Sequence, residues 1–566
     1  MPVFVDSMRI FSPDSGIIES ANLLYLRGTR MAFVSNPYQQ LTLYDKLAFL
    51  PIKKWKMLEK SWAQTFSDHI FTRINEHIFA PLYSEKSNSR PNSPVNVLVG
   101  ALILKDHQGL TDEELIASCE FDLRFQYALH TTSFEDQPVS ERSLSRFRSR
   151  LAAYELTTGE DLLHKCFIEM SEGMREYMNL SPSIKRMDSM MIESNIRKMG
   201  RLELLYTCLS NLVKLLTRNG KSELLDGLEH YADPDDKNRI IYHNKAIPLG
   251  DRLQKVIDDA VQLLPKCEEE YADTEDYQLL ERAIHEQTKK DDSGRNIPKG
   301  KGEGMGSSSL QNPADPDATY RLKAGKSHRG YAANITETVD VNGSLITDYQ
   351  YDVNTRSDLD FLQESIENVE SSENVTIMVA DGAYASEEME KQAEEKNILL
   401  VTTGLRGRGP REILTQFKLS DDRHTVIECP EGHKPKTSSY IRQSNSIRVS
   451  FPRCCCENCP HQKECNAKIN ARTSVVFLSL GALIHTEQAI KRKDNEIIKL
   501  FGRIRNGVET VPSILRRKYQ VDRMPVRGKL KTKVFFGFKM LALNFSKLCL
   551  HERGLEKCRS LQQTNT

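Results

Sequence analysis

Asp381 closes a short apolar run, Val375-Thr-Ile-Met-Val-Ala380, and is followed by Gly382-Ala-Tyr384-Ala-Ser386. The run has the length and composition of a strand buried on both faces. Gly382 allows a sharp turn, and Ser386-Glu-Glu388 reads as a helix start. A carboxylate at the carboxyl end of a buried strand lies where α/β sheets bind ligands; the plain alternative is that Asp381 caps the turn. Asp188 sits inside a second apolar strand, 183–194, among Ile184, Met187, Met190, Met191 and Ile192. A lone carboxylate there is costly unless it is paired or binds a cation, which makes it a functional candidate. Arg505, Glu509 and Arg516 stand at i, i+4 and i+11, so one helical face could carry all three. Taken alone, Arg505 and Glu509 read as a surface salt bridge, and Gly507 and Pro512 weaken that helix.

Six of the twelve cysteines fall between Cys429 and Cys465. Cys456-x-x-Cys459 has the bite of a zinc knuckle, and Cys429 and Cys465 would complete four thiolates around a structural Zn²⁺. Cys454, Cys455, His433 and His461 compete for the same role, and free thiols are the alternative. No basic-then-apolar leader opens the chain and no apolar run is long enough to span a bilayer, so a cytoplasmic protein is expected. In that compartment clustered cysteines favour metal over disulfides.

The elements that must position these groups follow from pattern. The 566 residues imply several domains, and 28% charged residues with zero net charge fit an ordinary globular chain. The charge is uneven: Arg516 to Lys533 carry eight Lys and Arg against one acid, Asp522. Residues 1–40 are expected to be an N-terminal extension and 41–160 a helical domain. Ser93-Pro94 starts a helix there whose Val95, Leu98, Val99, Leu102 and Ile103 form one buried face. Thr111 to Glu114 form a capping box. A helix from Ser140 carries Arg142, Arg146, Arg148 and Arg150 beside the apolar Leu144, Phe147 and Leu151. That arrangement suits either a helix-turn-helix reading a major groove or a bundle with a solvated basic face. Residues 201–314 read as a helical insertion ending in a flexible polar linker, Lys289 to Ser309. The strand with Asp188, a hairpin turning at Val341-Asn-Gly-Ser344, a helix, the strand with Asp381, a helix and a further strand make a mixed-sheet α/β core. The core is expected from 180–200, 315–405 and 485–550, with a Cys-rich insertion at 406–484. An amphipathic helix with Val534, Phe538, Leu541, Phe545 and Leu548 closes it.

Together these residues resemble the DDE transposases of bacterial insertion sequences. Arg186-Met-Asp188-Ser-x-x-Ile-Glu193 is similar to the first catalytic strand and Asp381-Gly-Ala-Tyr384 to the second. Arg505-x-x-x-Glu509 matches the Arg and Glu of the Tyr-Arg-Glu-Lys signature; its tyrosine falls on Gly502 and its lysine on Arg516. Asp315 to Arg321, Gly325 to Tyr331, Arg527-Gly528 and Asn544-x-x-Lys547-Leu548 are also typical. The resemblance implies a ribonuclease-H-like core. It implies Asp188, Asp381 and Glu509 as catalytic ligands of Mg²⁺ or Mn²⁺, and two-metal cleavage of DNA followed by joining of 3′-OH ends to target DNA. Arg505, Arg516, Arg517, Lys518, Arg142 and Arg146 are the expected DNA contacts. The expected partners are terminal inverted repeats and target DNA, with a homodimer at work. The alternatives are a catalytically inactive or domesticated DNA-binding protein, and a nuclease that cuts without joining.

Overall fold

The computed structural model describes residues 31–36, 46–84, 91–133, 139–243, 246–300, 303, 306–323, 325–369, 374–384, 386–403, 411–491 and 495–564. Of the expected extension 1–40, only 31–36 are among them. Four N-terminal helices matter for the site: α1 (Val95–Gln108), α2 (Asp112–Phe121), α3 (Glu141–Thr158) and α4 (Leu162–Tyr177). α1 is buried on all sides from Val95 to Lys105 rather than on one face. Its sequence is apolar almost all round, which is the pattern of a central helix. The capping box of Thr111 and Glu114 forms at the start of α2. α3 starts at Ser140, which makes a second box with Ser143, and buries Leu144, Phe147 and Leu151.

β1 (Ile184–Glu193) follows. The chain then leaves the sheet for the helical insertion, α5 (Arg201–Arg218), α6 (Leu249–Tyr271) and α7 (Glu275–Gln287). These helices bury a core of their own around Tyr206, Leu209, Ile257 and Leu280. The expected linker instead begins as a hairpin, β2 (Thr288–Lys290) with β3 (Asn296–Pro298). Arg295, just before β3, pairs with Asp258 of α6, which explains why a polar, glycine-rich stretch holds a place. A neck closes the insertion. Asn312 Nδ2 donates to the Arg197 carbonyl at 2.9 Å. The buried Asp315 accepts from Ser194 Oγ, from Tyr331 OH at 2.6 Å and from the Gly528 N–H at 3.1 Å.

The sheet resumes with β4 (Thr319–Lys323), β5 (Lys326–Asp340) and β6 (Gly343–Val353). α8 (Asp358–Asn368), β7 (Thr376–Asp381), α9 (Glu387–Glu395) and β8 (Ile398–Thr403) complete it. The strand order is β4-β5-β1-β7-β8, with β6 also on β5. β5 runs antiparallel to β1 and β6, while β1, β7 and β8 are parallel. The chain is therefore α/β with a mixed sheet and a helical N-terminal region. The loop between β5 and β6 is Val341-Asn342, since Gly343 already pairs with Asp340. Gly330 lies at φ 143°, and a Cβ there would run into the backbone of Ile192 and Ser194, so only glycine lets β5 cross the end of β1 so closely.

A Cys-rich subdomain follows, built on a sheet of β9 (Thr437–Ile441), β10 (Ser446–Pro452), β11 (Lys468–Ile469) and β12 (Thr473–Ser479) in the order β9-β10-β12-β11. Then come α10 (Leu480–Lys491), α11 (Asn495–Val508), α12 (Thr510–Arg517) and α13 (Lys529–Thr564). Among the described residues no helix is long and apolar enough to cross a membrane.

The sheet is covered on both faces. Leu362 and Ile366 of α8 and Met389 and Ala393 of α9 pack on Met187, Met378 and Leu400. The other face, with Met190, Ile192, Tyr331, Ile335 and Tyr349, shares one core with α1, α3, α4 and α13. α13 is buried from Val534 to Phe545 on almost every side, not along one stripe. The Asn544 amide pairs with both backbone groups of Ile346 on β6, at 3.0 and 2.7 Å, as a neighbouring strand would. The helical N-terminal region is thus packed into the sheet rather than set apart from it.

His164 of α4 joins this packing to the sheet through Asp348 Oδ1 at 2.8 Å. Burial of the ring works against its charge, but the hydrogen bond and attraction of Asp348, with Asp161, outweigh burial and the repulsion of Lys533, so its pKa is raised above 6.5. The raised value means that this stabilisation is complete below the unfolded pKa and is lost as pH rises through the folded one. The drop in Tm caused by His164→Gln should accordingly be larger at about pH 6 than at about pH 9. An equal drop at both would show that the charged ring contributes nothing.

Candidate active site

β1 and β7 pair in parallel, with Ile184 opposite Ile377 and Arg186 opposite Val379. Asp188 and Asp381 each lie two residues further on, and with a two-residue side-chain period they fall on one face of adjacent strands. β7 ends at Asp381 while β1 continues against β5, so a crevice opens beside Asp188. The third group arrives on a helix end. α11 stops at Val508, and Glu509 is the single residue between it and α12, at the N-cap of α12. Arg505, one turn earlier on α11, aims its guanidinium at all three carboxylates. Its Nη2 lies 3.4 Å from Asp188 Oδ1 and 3.6 Å from Asp381 Oδ2, and its Nη1 bonds Glu509 Oε1. The side chains are 11% (Arg505), 16% (Asp188) and 22% (Asp381 and Glu509) exposed, a crevice open on one side.

Crowded negative charge leaves a trace. Burial pushes the Asp188 carboxyl up to about 6; Asp381 adds to the rise, while Arg505, Lys323 and the Ser189 N–H oppose it. Among the described residues no group of three or more His, Cys, Asp or Glu stands as a ready metal-ligand set. The guanidinium stands between the carboxylates, and Arg505 Nε, buried, has no hydrogen-bond partner among the described residues. The turn after β7 is held from below. Tyr384 is fully buried and its hydroxyl donates to Asn334 Oδ1 of β5 at 2.9 Å.

The other expected residues are placed differently. Arg516 does not share the face of Arg505 and Glu509, because the helix breaks at Glu509. It bonds Asp522 Oδ2 at 3.1 Å and the Met191 carbonyl at 2.8 Å. Arg517 is exposed. Lys518 lies over the Tyr519 ring and donates to Ser546 Oγ at 3.0 Å. The basic run is not one strip, since Lys533 is tied to Glu155 and Asp161. On α3, Arg142 and Arg146 are exposed, while Arg148 is taken up by Asp112 and stacks on Phe535 at 4.8 Å. Cys429, Cys456, Cys459 and Cys465 line one cavity of about 20 Å³ together with Cys455 and His461, but not as a ready ligand set. Cys454 is exposed, and His461 faces Glu431 and Glu464.

Two nearby cations were not anticipated. Lys323, at the tip of the β4–β5 hairpin, donates to Ser189 Oγ at 3.2 Å; nothing local in the sequence marks it. Arg186 lies on the face of Asp188 and donates to the Ile504 carbonyl of α11 at 2.7 Å. Its place two residues before Asp188 was a usable signal.

A family model described as Transposase DDE domain matches residues 428–549, and one described as Transposase domain (DUF772) matches residues 57–150. No curated protein and no solved structure matches the chain. The two matches bear out the resemblance to the DDE transposases and indicate a part in transposition, which implies a DNA substrate. The first match contains Arg505 and Glu509; Asp188 and Asp381 lie outside it and join them through the fold.

The hydroxyl of Tyr384 gives a direct test of how Asp381 is held. Tyr384→Phe leaves the buried Asn334 carbonyl without its donor and should destabilise the chain by about 1–3 kcal/mol in denaturant unfolding. Unchanged stability would show that this bond does not fix the turn.

Proposed function

We propose that the chain is a transposase that cuts DNA at the ends of an insertion sequence and joins the freed ends to target DNA. The convergence of Asp188, Asp381 and Glu509 on one guanidinium carries the reading. Antiparallel β4, β5, β6 and β1 continued by β7 and β8 parallel to β1, with the aspartates on the adjacent β1 and β7, support the ribonuclease-H-like core implied by the resemblance. Hard carboxylate oxygens gathered around a cation suit Mg²⁺ or Mn²⁺ in chemical type, and the same three residues would hold the ions. When bound, such ions stabilise the charge that builds on a phosphate undergoing displacement.

The chain's own residues supply the rest. Asp188 and Asp381 are fixed by strand pairing, Glu509 by the α11–α12 break. Arg505 offsets part of the charge of the three carboxylates and, once they engage other cations, is free to hold a phosphate with its planar fork. Lys323 places a positive charge beside Ser189, at the rim of the same crevice. In cleavage, the oxygen of water bonds to phosphorus, the bond to the 3′ oxygen breaks and that oxygen takes up a proton. In joining, the freed 3′-hydroxyl loses its proton as it attacks a target phosphorus, and a target 3′-hydroxyl leaves. Arg142 and Arg146 on α3, and Arg517, are exposed cations suited to phosphates, and such binding weakens steeply with salt. Pairing two DNA ends requires at least a dimer at work.

Labelled DNA carrying the repeats that flank the gene should be nicked at the repeat ends in Mg²⁺ or Mn²⁺. Alanine at Asp188, Asp381 or Glu509 should abolish cutting and leave end binding within about threefold. A variant that still cuts removes its residue from the site. Specific binding by the wild-type chain without any cut would favour a DNA-binding relic.

For the Cys-rich subdomain we propose a structural zinc ion on Cys429, Cys456, Cys459 and Cys465, supported by the four thiols lining one small cavity. Elemental analysis of protein purified without added metal should find about one zinc per chain, and chelation should lower Tm. Zinc-free protein of unchanged stability would remove it.

A further inference from the structure

The buried charges nearest the crevice lie behind it. Glu337 of β5 is wholly buried, at 0% side-chain exposure, yet holds two cations. Arg186, its cross-strand partner on β1, reaches it through Nε at 2.7 Å and Nη2 at 2.6 Å. Lys547 of α13 bonds its other oxygen and also donates to Ser344 Oγ at 2.8 Å. The β5–β6 ladder shifts register between Thr336 and Glu337, and such irregularities re-aim side chains. Burial works against the charge of Glu337, but Lys547 and Arg186 outweigh it and keep its pKa low.

One donor of Arg186 is left over, and it leaves the sheet. Nη1 donates to the carbonyl of Ile504, the residue before Arg505, at 2.7 Å. This is near the carboxyl end of α11, where a cation also meets the negative end of the helix dipole. Gly507 makes the approach possible. A Cβ there would overlap Arg186 Nη1 and come within 2.7 Å of its Cζ. The guanidinium therefore lies against α11 at Gly507, where the helix has no side chain.

We infer that Glu337, Arg186 and Lys547 form a positioning network that fixes the helix carrying Arg505 and Glu509 against the strand carrying Asp188. The inference rests on the proposed catalytic role of Asp188, Asp381 and Glu509. Buried ion pairs are weak sources of stability, so a position-setting task accounts for this one better than a stabilising one. The contacts of the three run to one another, to Ser344 and to the Ile504 carbonyl. Each acts through the place it gives α11, and a displacement of about 1 Å at a reacting centre costs about 10²-fold in rate.

Gly507→Ala tests this without changing any charge. The added methyl pushes Arg186 off Ile504, so the cleavage kcat should fall by about 10²-fold with the KM for DNA ends unchanged. The Mg²⁺ concentration for half-maximal rate should rise. Backbone amides of 501–508 should exchange with deuterium faster than in the wild-type chain, while Tm changes little. Arg186→Lys in the Gly507→Ala background removes the overlapping atom and should recover part of kcat. Asp381→Ala is run alongside. If the wild-type chain cuts, Asp381→Ala does not, and Gly507→Ala cuts at the wild-type rate and Mg²⁺ requirement, the positioning network is overturned and the catalytic reading stands. If the wild-type chain does not cut, the catalytic reading fails first. Exchange then decides alone: unchanged protection of 501–508 in Gly507→Ala overturns the docking.

Discussion

Three carboxylates brought to one half-buried crevice repel one another, and the fold has to hold them there regardless. Arg505 is the compensating charge. Its single guanidinium reaches Asp188, Asp381 and Glu509 from two adjacent strands and one helix end. Without it, burial and the repulsion of Asp381 would push Asp188 further toward its neutral form. Much of the surrounding structure can be read as meeting that demand. Parallel pairing sets the two aspartates side by side, Tyr384 pins the turn below one of them, and Arg186 holds the helix that brings the other two groups.

A site assembled from both ends of a long chain depends on a framework that joins those ends. α13 supplies it. Its buried length packs at once on the sheet and on the N-terminal helices, and the Asn544 amide is stitched to the backbone of β6. α3, with Arg142 and Arg146 outward, buries Leu144, Phe147 and Leu151 in the same core. A DNA duplex lying on α3 would therefore press on a body continuous with the sheet that carries Asp188 and Asp381 rather than on a tethered domain.

Much of this was legible in the sequence, and the failures have physical reasons. The strands of Asp188 and Asp381 are short apolar runs with clear ends, and start signals at Ser93-Pro94, Thr111 and Ser386 marked α1, α2 and α9, so those elements were found. The meeting of Asp188, Asp381 and Glu509 came from resemblance, because spacing alone cannot bring residues hundreds of positions apart together. α1 and α13 were read as one-faced, since periodicity finds an apolar stripe but does not report a helix covered on every side. Arg516 was placed with Arg505 by assuming one unbroken helix; Pro512 warned otherwise, and the break falls at Glu509. Residues 289–300 were read as linker by composition, but their hairpin is held by Arg295 on Asp258, a tertiary contact that no local pattern announces. The network behind the crevice is invisible to local reading, because Glu337 and Lys547 look like surface charges until the fold buries them.

The insertion between β1 and β4 carries a consequence of its own. It leaves and rejoins the sheet through the neck at Asn312 and Asp315, and between those points it has a separate apolar core. A segment with its own core can open as a cooperative unit while the rest stays closed. Closing so long an excursion costs little more chain entropy than closing a short one, because the cost grows only with the logarithm of length. The crevice thus asks of the insertion chiefly that its two ends meet at the neck, which leaves the length and content of the segment between them to be set by its own core.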